Sequence, residues 1–395
     1  MSQADAVQVL LPRLRRVQWA ALAVGAVGLV LCAIGVAIGA RTFFRAYLFA
    51  YFFWLQIALG CILIVMTHHL SGGDWGYAIR RLLETGGMTL PLMALLFIPL
   101  LFGLPDLYAW AQPAAVASDV LLQHKQPFLN VPFFIGRAVF YFVTWIGTAL
   151  LLNRWSLAQD REPDAARGLA RRLRRFSAIA LLVYCVTATF SGIDWVMSVE
   201  ASWYSSVYGM ILITGQGLVG LAFAIVALAL VLRAAPGLPL ATPRRFNDLG
   251  SLLLAVLIGW AYMAFSQLLI IWSGSLPSET TWYLHRSVAG WKWVAIVVAL
   301  FGFAFPFAIL IFHRVRSGAR LLTAMAIWLV AVHLIEIFWF VVPGFYQTGF
   351  HLDWLDVVAT LGIGGFWVAV FTWQLAGKPL VPLHDPRLPE GMRGG

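Results

Sequence analysis

The stretch VYGMILITGQGLVGLAFAIVALALVL (207–232) decides the class of fold, because it contains no Asp, Glu, Lys or Arg. A helix needs about 20 mainly apolar residues to cross the hydrocarbon core of a bilayer, and this stretch is long enough. Of the 395 residues in the chain, 61% are hydrophobic and 11% are charged. Ordinary globular proteins have about 45–50% and about 25%. The sequence therefore predicts an all-α polytopic membrane protein.

Ten apolar stretches of this kind occur along the chain, each bounded by charged residues or by sequence rich in Pro and Gly. They are 17–39, 46–67, 89–111, 131–153, 177–197, 207–232, 249–272, 291–312, 321–342 and 356–377. The longest polar connection, 154–176, is predicted to be a basic loop with room for at most a short surface helix. We therefore expect a single membrane domain over 1–395 with ten transmembrane helices.

The Lys and Arg residues predict how these helices are oriented, because cytoplasmic loops of membrane proteins carry an excess of positive charge. With the N-terminus in the cytoplasm, all but six of the 27 basic residues lie on the cytoplasmic side. The six on the outer side are Arg41, Arg45, Lys125, Arg137, Arg286 and Lys292. Both termini are therefore predicted to be cytoplasmic. This asymmetry explains the net charge of +10, which does not indicate a nucleic-acid site.

A repeat of four helices is one interpretation of the pattern. The fourth and eighth predicted helices carry a cation near their outer ends, Arg137 and Lys292, and both end in a polar residue followed by arginine. Helices two to five and six to nine would then form two parallel four-helix bundles, with helices one and ten peripheral. A chance similarity between two helices is the alternative, and the sequence leaves both interpretations open.

Ionisable side chains at membrane depth are energetically costly, so each is a candidate for function. One set, which we call the outer layer, comprises Arg137, Asp194, Glu200, Lys292, His333 and Glu336, with His285, His351 and Asp353 in neighbouring loops. Spacing of three residues places His333 and Glu336 on one helix face. Carboxylate, imidazole and cation together could form a proton-coupled site. Interhelical salt bridges are the alternative, which we favour for Arg137, Asp194 and Lys292, whereas we favour function for His333 and Glu336.

A second set, which we call the inner layer, comprises His68, His69, Asp74, Glu84 and His313. In the run HHLSGGDWG (68–76), Gly72 and Gly73 predict a tight turn that could admit water to the two histidines, as at a proton entrance. A solvated loop anchored by Trp75 is the alternative, and we favour it.

Metal, haem and nucleotide chemistry is not indicated by the sequence. The three cysteines lie in separate apolar runs, and the chain has no Walker A motif, Gly-rich dinucleotide loop or nucleophile elbow. A haem with two histidine ligands would need His68 or His69 to lie opposite His313, and no other feature of the sequence supports such a site. A di-iron site needs paired Glu-x-x-His motifs, and the chain has none. We therefore predict no metal, no haem and no iron–sulfur cluster in this chain.

The runs HHLSGGDWG (68–76) and DWVMS (194–198), the latter followed by WYSS (203–206), are similar to motifs of one family. Further similar stretches are 51–76, 124–145, 190–210, 291–316, HLIEIFWFVVPGF (333–345), 352–375 and HDPRL (384–388). Together they resemble, nearly end to end, the F-type membrane subunit of bacterial alternative complex III, a quinol:electron-acceptor oxidoreductase of the wider NrfD/PsrC-like group. The family usually has Pro-His where this chain has Ala201-Ser202, so a role of that histidine in proton exchange is in doubt here.

The resemblance implies ten helices in two four-helix bundles plus two peripheral ones, in the bacterial cytoplasmic membrane. It implies that haem and iron–sulfur centres belong to partner subunits: a multihaem cytochrome and a ferredoxin-like iron–sulfur subunit. Quinol oxidation would belong to a C-type sister subunit, with ubiquinone or menaquinone as the quinone, and a terminal oxidase is a further implied partner. Proton half-channels are also implied. On the motifs, His68, His69 and Asp74 match the inner half-channel, and Asp194, His333 and Glu336 match the outer one.

We therefore expect a membrane subunit with no catalytic residue of its own, which supports quinol oxidation and proton translocation in an electron transport chain. It would bind its sister subunits, lipids and a quinone. An independent proton-coupled secondary transporter is the alternative, and a scaffold in which every charge is paired is a third interpretation.

Overall fold

The computed structural model of the protein describes residues 3–236, 238, 242–288, 290–382 and 385, with side chains from residue 8 onwards. Within these ranges the chain forms helices and no strand, as the composition predicts. Nine of the described helices are long and apolar enough to cross a membrane. The prediction of an all-helical, multi-pass membrane protein is therefore confirmed.

The helices follow one another with short connections. In chain order they are α1 (Gln3–Ser71), α2 (Arg80–Gly87), α3 (Leu90–Phe102), α4 (Leu104–Leu107), α5 (Pro113–Ser118), α6 (Val120–Lys125), α7 (Val131–Arg161), α8 (Ala166–Trp195), α9 (Tyr208–Ala234), α10 (Pro243–Gly274), α11 (Pro277–His285), α12 (Trp291–Val297), α13 (Phe305–Leu310), α14 (His313–Ser317), α15 (Ala319–Val341) and α16 (Trp354–Ala376). A π-helical segment, Val298–Ala304, joins α12 to α13. It precedes Pro306, whose missing N–H interrupts the regular α-helical hydrogen bonds.

Helix α1 is too long to cross a bilayer once as a straight rod. Its 69 residues would extend about 100 Å at about 1.5 Å per residue, more than three times the hydrocarbon thickness of about 30 Å. The backbone leaves the helical conformation at Gly39 (φ −168°, ψ 88°), which divides α1 into two arms. The arms contain the predicted spans 17–39 and 46–67.

The third apolar segment differs from the predicted span 89–111, because it covers Arg80–Phe102. Hydropathy misses its first turns, which contain the buried charged residues Arg80, Arg81 and Glu84. Residues 103–125 form short helical segments instead of continuing the span.

The prediction of a basic loop over 154–176 is wrong. Helices α7 and α8 both extend into this segment, and only residues 162–165 separate them. Arginine, alanine and leucine are good helix formers, so the charged turns continue each helix beyond its apolar stretch.

Helix α9 lies at the centre of the fold and packs against α1, α8, α10 and α15. Gly60 of α1 lies on the backbone of Gln216 and Gly220, and a side chain at either glycine would collide with the facing backbone. The first arm of α1 packs in the same way on α16, through Gly28 and Gly362. Small residues at such crossings let membrane helices approach closely, which fixes the positions of the polar side chains nearby.

Candidate functional site

The outer layer divides into separate groups. The first joins α7 to the end of α8, where Nε and Nη2 of Arg137 donate to the two carboxylate oxygens of Asp194 at 2.8 and 2.7 Å. The hydroxyl of Tyr141 also donates to Asp194, at 2.8 Å. The Arg137 guanidinium lies 3.9 and 4.3 Å from the ring centroids of Phe128 and Phe133. Two ionic hydrogen bonds and two aromatic faces hold this pair, as the salt-bridge interpretation predicts.

The second group joins Glu200 to the loop after α11. Nη1 of Arg286 donates to Glu200 at 2.6 Å, and Nδ1 of His285 lies 2.8 Å from the other oxygen of the same carboxylate. Burial lowers the pKa of Arg286, although the neighbouring Glu200 acts in the opposite direction. From the sequence, Arg286 is predicted only as a charge on the outer side, since nothing in its local sequence indicates a partner 86 residues away.

The third group is the buried pair His333 and Glu336 on α15, which confirms the prediction of a shared helix face. Nδ1 of His333 lies 2.8 Å from Oε2 of Glu336. The other oxygen, Oε1, accepts a hydrogen bond of 2.7 Å from the indole N–H of Trp260 on α10. Both side chains are almost completely buried, at 4% exposure. Glu336 thus has hydrogen bonds to an imidazole and an indole, and no arginine is paired with it among the described residues.

Nε2 of His333 is buried and has no hydrogen-bond partner among the described residues. The ring lies between the aromatic ring of Phe53, at 6.3 Å between centroids, and the backbone of α9 at Gly215. Gln56, one turn after Phe53 on α1, is fully buried, and both polar atoms of its amide likewise have no partner in the described part of the chain. Hydropathy does not identify Trp260 or Gln56 as members of this site, because a single polar side chain on a long apolar helix produces no periodic pattern.

Lys292 does not join these groups. Its side chain is exposed, and Nζ lies 5.4 Å from the ring centroid of Trp293. Arg137 and Lys292, the two cations that the repeat interpretation matches with each other, therefore have different surroundings. The neighbouring loop residues are also separate: Asp353 caps α16, and His351 stacks on Tyr346.

The two histidines of the inner layer are buried, whereas the interpretation favoured from the sequence of this segment is a solvated loop. Gly72 and Gly73 have positive φ angles of 70° and 94°, which confirms the predicted turn. His68 and His69 are at most 1% exposed, and the ring of His68 lies edge-on to Trp75 at 5.0 Å. The turn therefore covers the histidines.

The remaining inner-layer residues, Asp74, His313 and Glu84, differ from one another in exposure. Asp74 is partly exposed. His313 is exposed, whereas His68 and His69 are buried. Glu84 is buried in a charge cluster of α2.

We call this set the arginine cluster: Arg80, Arg81, Glu84, Ser156, Gln159, Asp160 and Asp385. Arg80 donates to Glu84 at 2.9 Å and to Asp385 at 2.7 Å, and Arg81 donates to Glu84 at 2.8 Å. Arg81 is also ion-paired with Asp160. Both arginines are at most 1% exposed. From the sequence, both are predicted only as charges on the cytoplasmic side. The contact of Arg80 with Asp385 spans 305 residues, which local patterns cannot predict.

An apolar cavity of about 690 Å³ opens between α12, α15 and α16. Leu334, Ile335 and Phe338 line it from α15, and Asp356 and Thr360 are among its residues from α16. Helical spacing places Leu334 and Phe338 on the face of α15 opposite His333 and Glu336. The volume suits a small apolar ligand, but the cavity does not open onto the buried pair.

No group of three or more His, Cys, Asp or Glu side chains that could hold a metal ion occurs among the described residues. Comparison of the chain with protein-family models and with curated proteins found no match.

Proposed function

We propose that the chain is a cofactor-free membrane subunit of a quinol:electron-acceptor oxidoreductase of the alternative complex III type. In this proposal it supports quinol oxidation and moves protons. The motifs at 68–76, 194–206 and 333–345 support the assignment to this type of complex. The single observation that carries the proton role is the buried pair of His333 and Glu336, with an unpartnered Nε2 on the histidine.

The chemistry of this pair suits transient proton binding. When Glu336 is ionised, Nδ1–H of His333 donates to its carboxylate, which leaves the lone pair of Nε2 free to accept a proton. Protonation at Nε2 gives an imidazolium beside a carboxylate, and this pair has no net charge. Transfer from Nδ1 to Oε2 then gives two neutral groups. The pair can therefore hold one proton without placing a net charge in the apolar bundle.

Three other buried carboxylates, Asp194, Glu200 and Glu84, are less suited to this role. Asp194 and Glu200 each face an arginine at 2.8 Å or less, and Glu84 faces two. An arginine stays charged at any physiological pH, so it stabilises the ionised form of the carboxylate beside it. These pairs hold helices and loops together, whereas the proton role is proposed for Glu336.

The finer topology belongs to the same proposal. Each arm of α1 would cross the membrane separately, which gives ten spans with both termini in the cytoplasm of a bacterium. Helices α1 (second arm) to α8 and α9 to α15 would form the two four-helix bundles, with the first arm of α1 and α16 peripheral. The proposed partners are a C-type sister, a multihaem cytochrome, an iron–sulfur subunit and a terminal oxidase. Ubiquinone or menaquinone would occupy the cavity at Phe338 and Asp356.

Glu336→Gln in the intact complex tests the proton role. The complex is purified, reconstituted in vesicles and assayed for quinol turnover and proton translocation. We expect proton translocation to fall about tenfold or more, because the glutamine cannot exchange the proton. Lys292→Gln, at an exposed outer-layer position, is the matched control and should behave as wild type. Wild-type translocation and turnover in Glu336→Gln would contradict the proton role.

Gentle solubilisation of native membranes tests the assignment to a complex. Co-migration of the chain with haem-containing and iron–sulfur subunits is the expected result. A chain that migrates alone and catalyses proton-coupled uptake would instead be a secondary transporter, as the alternative interpretation predicts.

A further inference from the structure

A basic pocket lies at the arginine-rich ends of α7 and α8, and none of the residues that line it belongs to the groups described above. Trp155 on α7 and Arg171, Arg172, Arg175 and Phe176 on α8 line a cavity of about 570 Å³. The Trp155 ring packs edge-on against Phe176, at 5.2 Å between centroids, and the guanidinium of Arg172 lies 4.8 Å from the Trp155 centroid. The Trp155 ring, which packs on Phe176, therefore holds the guanidinium of Arg172 by a cation–π contact.

The three guanidinium groups have no internal counter-charge. Within the described ranges, Arg171, Arg172 and Arg175 make no salt bridge and no side-chain hydrogen bond, in contrast to Arg80 and Arg81. All three are exposed. Three positive charges around one cavity repel one another, so an anion that enters the cavity would be bound favourably. Guanidinium groups match the oxygens of a phosphate in shape as well as in charge.

An exposed apolar strip begins at the rim of this pocket. Ile179 lines the cavity and is 67% exposed, and Leu182 and Val186 follow at 71% and 57%. Their spacing along α8 keeps all three on one side of the helix, which continues the face that carries Arg175. In a helix that crosses a membrane, an exposed apolar strip contacts acyl chains. The pocket and the strip together therefore match an amphiphile with an anionic head and apolar tails.

We propose that this pocket binds the phosphate headgroup of an anionic phospholipid, whose acyl chains lie along Ile179, Leu182 and Val186. Basic pockets between transmembrane helices are a known form of lipid recognition. A zwitterionic lipid offers the same tails without the net charge, and free phosphate offers the same charge without tails. The proposal concerns the chain in any complex and does not depend on its part in quinol oxidation.

Native mass spectrometry of the full-length chain in neutral detergent tests the proposal by titration with phosphatidylglycerol, phosphatidylcholine or inorganic phosphate. We expect wild type to bind phosphatidylglycerol at least tenfold more tightly than phosphatidylcholine. The triple variant Arg171→Gln, Arg172→Gln, Arg175→Gln should lose at least tenfold of this affinity, at about one kcal/mol per basic residue and 1.4 kcal/mol per tenfold. Inorganic phosphate at the lipid concentration should not displace the lipid.

The matched control carries the same charge change at exposed sites: Arg15→Gln, Arg16→Gln, Arg320→Gln. It should bind phosphatidylglycerol within twofold of wild type. If the pocket variant fails to fold, as judged by its elution and melting, the single variant Arg172→Gln replaces it, with an expected loss of about fivefold. Equal binding of the two lipids, an equal loss in the control, or full displacement by inorganic phosphate would each overturn the proposal.

Discussion

The arginine cluster and the site at His333 and Glu336 are both buried carboxylate sites, but their partners differ. Glu84 faces two arginines, at 2.9 and 2.8 Å, and accepts a hydrogen bond from Ser156. Glu336 faces one imidazole and one indole. The first carboxylate is held in its ionised form by permanent cations, whereas the second has one neighbour that is always neutral, the Trp260 indole, and one whose charge depends on its protonation, the His333 imidazole.

This difference indicates how a membrane protein can separate architecture from chemistry. Ion pairs with arginine hold segments that are distant in sequence, such as α2 and Asp385. A carboxylate beside a histidine can gain or lose a proton while its packing stays the same. Glu84→Gln and Glu336→Gln test this difference directly, and substitutions at Asp194 and Lys378 extend it to a second arginine pair and to a buried lysine. The four are taken from the largest expected effect on stability to the smallest.

Glu84→Gln should cause the largest loss of stability. It breaks two buried ion pairs at once, because Arg80 and Arg81 share this carboxylate, and it leaves each arginine with a single carboxylate, Asp385 or Asp160, at a cost of about 3–5 kcal/mol. Thermal and denaturant unfolding in detergent measure the change. Glu162→Gln, at an exposed position, is the control and should stay within about 0.5 kcal/mol of wild type. Equal losses in the two variants would mean that the arginine cluster contributes no special stability.

Asp194→Asn should reduce stability by about 1–3 kcal/mol, because Arg137 loses its counter-charge but keeps its bond of 2.9 Å to the carbonyl of Phe128. The double variant Arg137→Met, Asp194→Asn should recover part of this loss, since no unpaired charge then remains. A double-mutant cycle measures the coupling. Simple additivity of the two substitutions would show that this pair does not act as a unit.

Lys378→Met should raise stability in a manner that depends on pH. Burial lowers the pKa of Lys378 from 10.5 to about 8, and the attraction of Glu84 offsets this only in part. Below pH 8 Lys378 is protonated in both the folded and the unfolded chain. The buried ammonium group therefore lowers the free energy of unfolding most in this range. Between pH 8 and 10.5 the unfolded chain binds more protons, so wild-type stability rises with pH. The gain from methionine should be about 1–2 kcal/mol at pH 7 and should shrink as the pH rises above 8. Melting temperatures from pH 6 to 9.5 test this, and a gain independent of pH would contradict the cause given.

Glu336→Gln should have the smallest effect on stability, less than about 1 kcal/mol. The glutamine oxygen can still accept from Trp260, and its amide can donate to Nδ1 of His333 once the histidine adopts its other tautomer. Unfolding measurements beside Glu84→Gln make the comparison direct. A loss as large as that of Glu84→Gln would mean that Glu336 is also a fixed structural charge.

The sequence predicts the helices better than it predicts the charges. The length of the apolar stretches locates the long helices, because the thickness of the bilayer sets how many apolar residues a span needs. The i, i+3 spacing correctly places His333 beside Glu336. Arg80 and Arg81 are misinterpreted as topological charges because their partners Asp160 and Asp385 come together only in the tertiary fold. Trp260 is missed for the same reason.

Infrared difference spectroscopy on the protonation of Glu336 tests the central claim most directly. Spectra of the intact complex are recorded during quinol turnover for wild type, Glu336→Gln and Asp194→Asn. If Glu336 gains and loses a proton while Asp194 stays ionised, a carboxylic-acid band will appear in wild type, persist in Asp194→Asn and vanish in Glu336→Gln. A band that persists in Glu336→Gln, or no such band in wild type, would contradict the division between fixed and exchangeable charges.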